Sequence, residues 1–206
     1  MLIYIIRHGE TEYNKEKRYQ GQTDIPLSAE GRLKIRSANF RPETVYTSTL
    51  TRAVESARLI FPGSNYIQVD DLKEMNFGKF EGKNHIEMEN DPDYRAWVDS
   101  NCETPCPGGE SREEFSERIF NCIKELVKRT LDNGNHTLVI VAHGGTMMAA
   151  MEKIALPRKA YHDWLTGNAE GYLLEYTEGT DITECKVREK LYFHEKGAEL
   201  GYTVMV

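Results

Sequence analysis

The sequence contains little that would tie it to a membrane, an oxidising compartment or a polyanion. Its longest apolar stretches, residues 1–6, 138–142 and 147–151, fall far short of the roughly 18 residues that suggest a membrane span. No membrane partner is expected. From Met1 the chain passes directly into a strand-like run ending at Arg7-His8, so a secretory signal is not expected either. Cysteine is scarce: Cys102, Cys106, Cys122 and Cys185 lack the paired spacing of a zinc site and are too few for a disulfide framework. They read as reduced thiols of a cytoplasmic protein, with Cys122 on the apolar side of a helix; a bridge between Cys102 and Cys106 stays open. Basic residues are in deficit, 26 Lys and Arg against 33 Asp and Glu, and form no stripe. That argues against a nucleic-acid partner and requires any anion site to be local. Gly and Pro, at 16 and 7, are too few for a low-complexity chain. What remains is a globular complement: 206 residues, 39% hydrophobic, enough for a sizeable core in one domain with some surplus.

Leu2-Ile3-Tyr4-Ile5-Ile6 and Leu138-Val139-Ile140-Val141-Ala142 are continuous apolar runs, the pattern of strands buried on both faces, and each runs out to a His-Gly pair. Val45-Tyr46-Thr47 and Tyr66-Ile67-Gln68-Val69 predict two more strands, and residues 171–176 and 183–193 a further pair. Helical spacing and caps predict helices over 28–40 behind Ser28, over 49–60, from a Ser111-x-x-Glu114 capping box to about 133, and over 144–155. Residues 76–110 carry several Gly and Pro with short helical patches at 84–89 and 93–99, and read as an insertion. Alternating strands and helices imply an α/β fold, a three-layer αβα sandwich around a mostly parallel mixed sheet. A single domain is expected over 1–206, with the insertion at about 76–110 folding over the site as a lid that selects the leaving group. Ligands in such sheets lie beyond the carboxyl ends of the strands, the edge that His8, His143 and Ser48 occupy.

Arg7-His8-Gly9-Glu10-Thr11 puts two side-chain donors beside a glycine that lets the backbone approach a bound group. An isolated Arg-His pair is more often a surface turn. Here Asn14, Arg18-Tyr19-Gln20-Gly21-Gln22 and Asp24-x-Pro26-Leu27-Ser28-x-x-Gly31 follow as a run of donors and turn residues leading to a helix start. This run resembles the opening signature of the histidine phosphatase superfamily, which includes the phosphoglycerate mutases. Ser48-Thr49-Leu50-Thr51-Arg52-Ala53-Val54-Glu55-Ser56-Ala57 is similar to the family's second block. Leu72-Lys73-Glu74-Met75-Asn76-Phe77-Gly78 with Glu81-Gly82 resembles a third, Pro107-Gly108-Gly109-Glu110-Ser111 a fourth, and Ala142-His143-Gly144-Gly145 the last.

The resemblance implies a phosphoglycerate mutase-like fold and a metal-independent phosphatase acting through a phosphohistidine. It makes His8 the nucleophile and Glu74 the proton donor and acceptor. Arg7, Arg52, His143 and Asn14 would bind phosphate, and Gln20, Gly21 and Gly144 substrate. Phosphoryl transfer agrees with such a set, because its loose transition state needs fixed positive donors and an aligned nucleophile. Arg52, in the first turn of a helix, adds backbone N–H groups and the dipole. Glu110 either orients this machinery or supplies charge to a helix start. No metal and no cofactor are expected: His85, His136, His162 and His194 are scattered and read as solvated or structural. Gly78-x-x-x-Gly82-Lys83-Asn84 has the wrong spacing for a nucleotide loop, and Met147, Met148 and Met151 read as core.

The third and fourth blocks look closest to α-ribazole phosphatases of cobalamin biosynthesis, so the expected partner is a small phosphorylated metabolite. A broad-specificity phosphatase and a cofactor-dependent phosphoglycerate mutase remain alternatives. A catalytically silent phosphate-binding domain is disfavoured by the full residue set, and a homodimer is left open. Two departures from the family pattern stand out: Ser56 where Thr is common, and Thr146-Met147-Met148 where an Arg is frequent.

Overall fold

A computed structural model describes residues 1–194; the remainder of the domain expected over 1–206 lies outside the described residues. Strands β1 (Leu2–Arg7), β2 (Thr44–Ser48), β3 (Asn65–Val69), β4 (Thr137–Ala142), β5 (Ala155–Leu156), β6 (Glu170–Glu175) and β7 (Cys185–Tyr192) form one sheet. Their order is β3-β2-β4-β1-β6-β7-β5. β6 alone runs against its neighbours; the other pairings are parallel, with Arg7 of β1 opposite Ala142 of β4. The β1–β4 pair at the centre of the sheet therefore delivers His8 and His143 side by side at its carboxyl edge.

The helices are α1 (Glu12–Lys15), α2 (Ala29–Lys34), α3 (Thr51–Ile60), α4 (Pro92–Asp99), α5 (Arg112–Asp132) and α6 (Gly144–Ile154). Strand periodicity decides which layer each apolar side chain joins. Ile3, Ile5, Leu138 and Ile140 pack on one face with Phe115, Ile119 and Ile123 of α5 and Met147 and Met151 of α6. Ile6, Val139 and Val141 point the other way, onto Ala57 and Ile60 of α3 and onto Phe61. Each such fully buried aliphatic contributes on the order of 1.5–3 kcal/mol, and burial on both faces explains the unbroken apolar runs of β1 and β4. The result is the three-layer α/β fold with a mostly parallel mixed sheet.

Two predicted elements differ. The helix expected over 28–40 stops at Lys34, because Ile35 bridges antiparallel to His194 and buries its side chain beside Phe193. Beyond it, the N–H groups of Arg36 and Ala38 donate to the carbonyls of Phe193 and Ile60 in place of helical partners. Residues 84–89 form turns, since the Asn84 side chain accepts from the N–H groups of Ile86 and Glu87. The long helix after Ser111 stands as predicted, with the reciprocal Ser111–Glu114 box at its start. The 93–99 patch is α4, capped by Asp91.

Candidate active site

His8 and His143 face each other at the end of β1 and β4, their ring centroids 5.3 Å apart and inclined at 63°. Both are buried. His8 Nδ1 lies 2.6 Å from the carbonyl oxygen of Gly9. A carbonyl only accepts, so Nδ1 carries the proton and Nε2 keeps its lone pair. Burial, then the charges of Arg52 and Arg7, hold the His8 imidazole well below its ordinary pKa, so it is neutral near pH 7. His143 is depressed in the same way, by burial first and then by Arg52, and neither of its buried ring nitrogens has a hydrogen-bond partner within the protein.

Arg52, in the first turn of α3, is fully buried. Its Nη2 donates to Gly21 O at 2.7 Å and its Nη1 to Thr23 O at 2.9 Å, while Nε has no partner. Burial lowers its pKa to about 10, against the opposing charges of Glu74, Asp24 and Glu81. A buried guanidinium held by carbonyls, with a donor still unmet, favours a bound anion. The loop supplying those carbonyls is anchored by Glu81, whose carboxylate accepts from the N–H groups of Gln22 and Thr23, both at 2.8 Å, and of Phe77 at 3.2 Å. Gly21, at φ +52°, leaves room for it: a Cβ there would meet Glu81 Oε1 at 2.0 Å. Ser56 retains the hydroxyl that this position needs, accepting from Gly9 N–H at 2.9 Å and donating to Arg52 O at 2.6 Å.

Arg7 donates to Thr166 O at 2.5 Å and lies against Gly144, whose absent Cβ would sit 3.3 Å from Arg7 Nε. The charge of Arg7 acts on both histidines. The Glu74 carboxylate accepts from Gly145 N–H at 2.9 Å and Met75 N–H at 3.0 Å, which fixes it at the start of α6. Asn14 is the third residue of α1; its Oδ1 accepts from Thr11 N–H at 3.0 Å and from Asn168 Nδ2, which also reaches His8 O at 3.2 Å. Gln20 is buried one layer behind, with Oε1 accepting from Thr11 Oγ1 at 2.9 Å. Glu110 accepts from Asn76 N–H at 2.8 Å and pairs with Arg118.

A cavity of about 300 Å³ opens beside Arg7, Glu74 and Gly144. Its wall is largely apolar: Tyr19, Phe77 and Trp97 from one side, Met148 and Leu165 from another. Three of its residues, Phe77, Trp97 and Cys102, belong to the 76–110 segment. Cys102, Cys106, Cys122 and Cys185 are free thiols. Met148 and His162, read from the sequence as core and as structural or solvated, both line this cavity; only contact across the fold reveals them. Among the described residues no cluster of three or more His, Cys, Asp or Glu could hold a metal ion, and no helix is long and apolar enough to cross a membrane.

Residues 3–186 match the model of the histidine phosphatase superfamily (branch 1). A 2,3-bisphosphoglycerate-dependent phosphoglycerate mutase of Cytophaga hutchinsonii is 31% identical over 196 residues, covering 88% of this chain and 90% of that protein. A glucosyl-3-phosphoglycerate phosphatase of Mycolicibacterium vanbaalenii is 34% identical over 160 residues, 71% of each. The alpha-ribazole phosphatase of Shigella flexneri superposes with a TM-score of 0.76 over 94% of this chain and 96% of that one; at 23% identity this is a likeness of fold. Two histidines and two arginines gathered at one sheet edge, inside a family match spanning almost every described residue, make the chain a member of the histidine phosphatase superfamily.

Proposed function

We propose that the protein is a phosphomonoesterase that works through a phosphohistidine at His8 and requires no metal or other cofactor. The tautomer of His8 carries this reading: with Nδ1–H committed to Gly9 O, the lone pair of Nε2 is the one available to phosphorus. The ester's phosphoryl group sits among Arg7, Arg52, His143 and Asn14, whose donors take up the charge of its equatorial oxygens. Nε2 forms the N–P bond as the P–O bond to the leaving alcohol breaks, and Glu74 delivers the proton that the departing oxygen needs. Water then attacks phosphorus, giving its proton to Glu74; the N–P bond breaks and phosphate leaves.

The substrate reading is a small phosphorylated metabolite, α-ribazole 5′-phosphate, whose leaving alcohol carries an aromatic base. The aromatic wall of Tyr19, Phe77 and Trp97 supports it. A phosphoglycerate mutase is the second reading, favoured by the phosphoglycerate mutase among the relatives. Against it, a glycerate carboxylate would need a cation, and Arg112 on this wall already pairs with Glu103 at 2.9 Å.

The test is phosphate release from α-ribazole phosphate, 3-phosphoglycerate and sugar phosphates in the presence of a chelator. The expected result is chelator-resistant turnover with a preference of about tenfold or more for α-ribazole phosphate. Turnover that appears only with added divalent metal would sink the mechanism. Comparable rates on every ester would sink the substrate, and phosphoglycerate interconversion outrunning hydrolysis would establish the mutase.

A further inference from the structure

Arg118 lies in the second turn of α5 and does not line the cavity, yet all five of its guanidinium hydrogens are accounted for. Nε donates to Glu110 Oε1 and Nη2 to Glu110 Oε2, both at 2.9 Å, a bidentate fork. Nη1 donates to Asp71 O at 2.7 Å and Lys73 O at 3.1 Å, and the second hydrogen of Nη2 points at Glu74 O, 3.4 Å away. Glu110 closes the ring by accepting from Asn76 N–H at 2.8 Å. Thr146 of α6 reaches the same stretch, its Oγ1 lying 3.3 Å from Leu72 O and 3.4 Å from Lys73 O, a carbonyl that Arg118 also serves. The backbone on both sides of Glu74 is therefore clamped from α5, while the Glu74 carboxylate is aimed from α6 by Gly145 N–H.

We infer that Arg118, oriented by Glu110, is a positioning residue for Glu74 and sets how well the protein expels poor leaving groups. The inference rests on Glu74 being the proton donor. A proton donor displaced by a fraction of an ångström transfers less effectively, whereas phosphate binding through Arg7 and Arg52 does not pass through this clamp. The effect of losing Arg118 must then scale with the basicity of the leaving group. A lysine cannot replace it, because three donors on a flexible stem cannot serve a carboxylate and three carbonyls together.

The experiment compares kcat/KM for glycerol 2-phosphate, an alkyl ester that needs a proton, with that for 2,4-dinitrophenyl phosphate, whose leaving group needs none. kcat/KM reports only the steps up to phosphorylation of His8. Arg118→Met and Glu110→Gln are expected to lower it by about 10- to 100-fold for the alkyl ester and by less than about threefold for the aryl ester. Arg118→Lys should fall between these variants and the wild type. Where Arg118→Met does not fold, Arg118→Lys and Glu110→Gln decide. Glu74→Gln is the reference. If it is selective against the alkyl ester while the clamp variants lose equally on both esters, the clamp is overturned alone. If Glu74→Gln itself shows no such selectivity, the reading of Glu74 falls and the clamp with it.

Discussion

His8 and His143 stand edge to face at 5.3 Å, at the ends of two parallel strands paired in register, with Arg52 and Arg7 both bearing on them. Four groups able to carry positive charge share one buried site, and the histidines yield by staying neutral. A neutral His8 can attack phosphorus. His8→Ala should abolish acid-labile phosphate incorporation from a radiolabelled ester, and labelled protein surviving that change would mean another nucleophile.

The same neutrality sets a pH dependence of stability. Both rings bind protons less readily when folded than the 6.5 of an ordinary histidine, so as pH falls through 6.5 the unfolded chain takes up protons first. Each ring should remove about 1.4 kcal/mol of stability per pH unit below that point until its own folded pKa is reached. Urea unfolding at pH 7.5 and 5.5 reads this slope, and His143→Gln should reduce it by about half. A slope unchanged by His143→Gln would contradict the neutral pair.

Arg52→Lys keeps a charge but cannot hold Gly21 O and Thr23 O and still reach an anion. Calorimetry with inorganic phosphate should show affinity down by about tenfold or more. Stability should fall by roughly 1–3 kcal/mol as the carbonyls lose their donors.

At Gly145 an added Cβ would lie 2.3 Å from Glu74 Oε1. Gly145 sits in the first turn of α6, where alanine is at ease, so Gly145→Ala should fold normally and push the carboxylate aside. Turnover of alkyl esters should drop by about tenfold or more, with little change in melting temperature.

Phe77 is half-buried and forms part of the cavity wall, in edge contact with Tyr19 and Trp97 at 5.2 and 6.1 Å. Phe77→Ala should narrow the discrimination between an ester with an aromatic leaving group and glycerol 2-phosphate by several-fold. Phosphate affinity, measured in parallel, should not move.

The parts legible in the sequence are those written in local pattern. The apolar runs of β1 and β4 announce strands buried twice over, and the His-Gly pairs at their ends announce the site edge. Ile35 reads as helical because its spacing is helical; only the distant His194 and Phe193 take it out of the helix. Arg118 reads as one more charge on an amphipathic helix, since the carbonyls it serves lie more than forty residues away in the chain. Glu81 is legible as part of a motif, but not as the anchor of the loop that holds Arg52. The cavity wall was hidden for the same reason, since Tyr19, Phe77, Trp97, Met148 and Leu165 share no spacing and meet only in space.

The register that sets Arg7 opposite Ala142 joins the first strand of the chain to one formed after most of it has been laid down. Because a slip of one residue would turn Ile6 and Val141 out of their layer and part the two histidines, correct assembly and chemical competence are a single event. A nascent or truncated chain lacking β4 holds His8 without its counterpart. On the proposed function, hydrolysis of a phosphate ester would therefore report directly that this long-range pairing has closed.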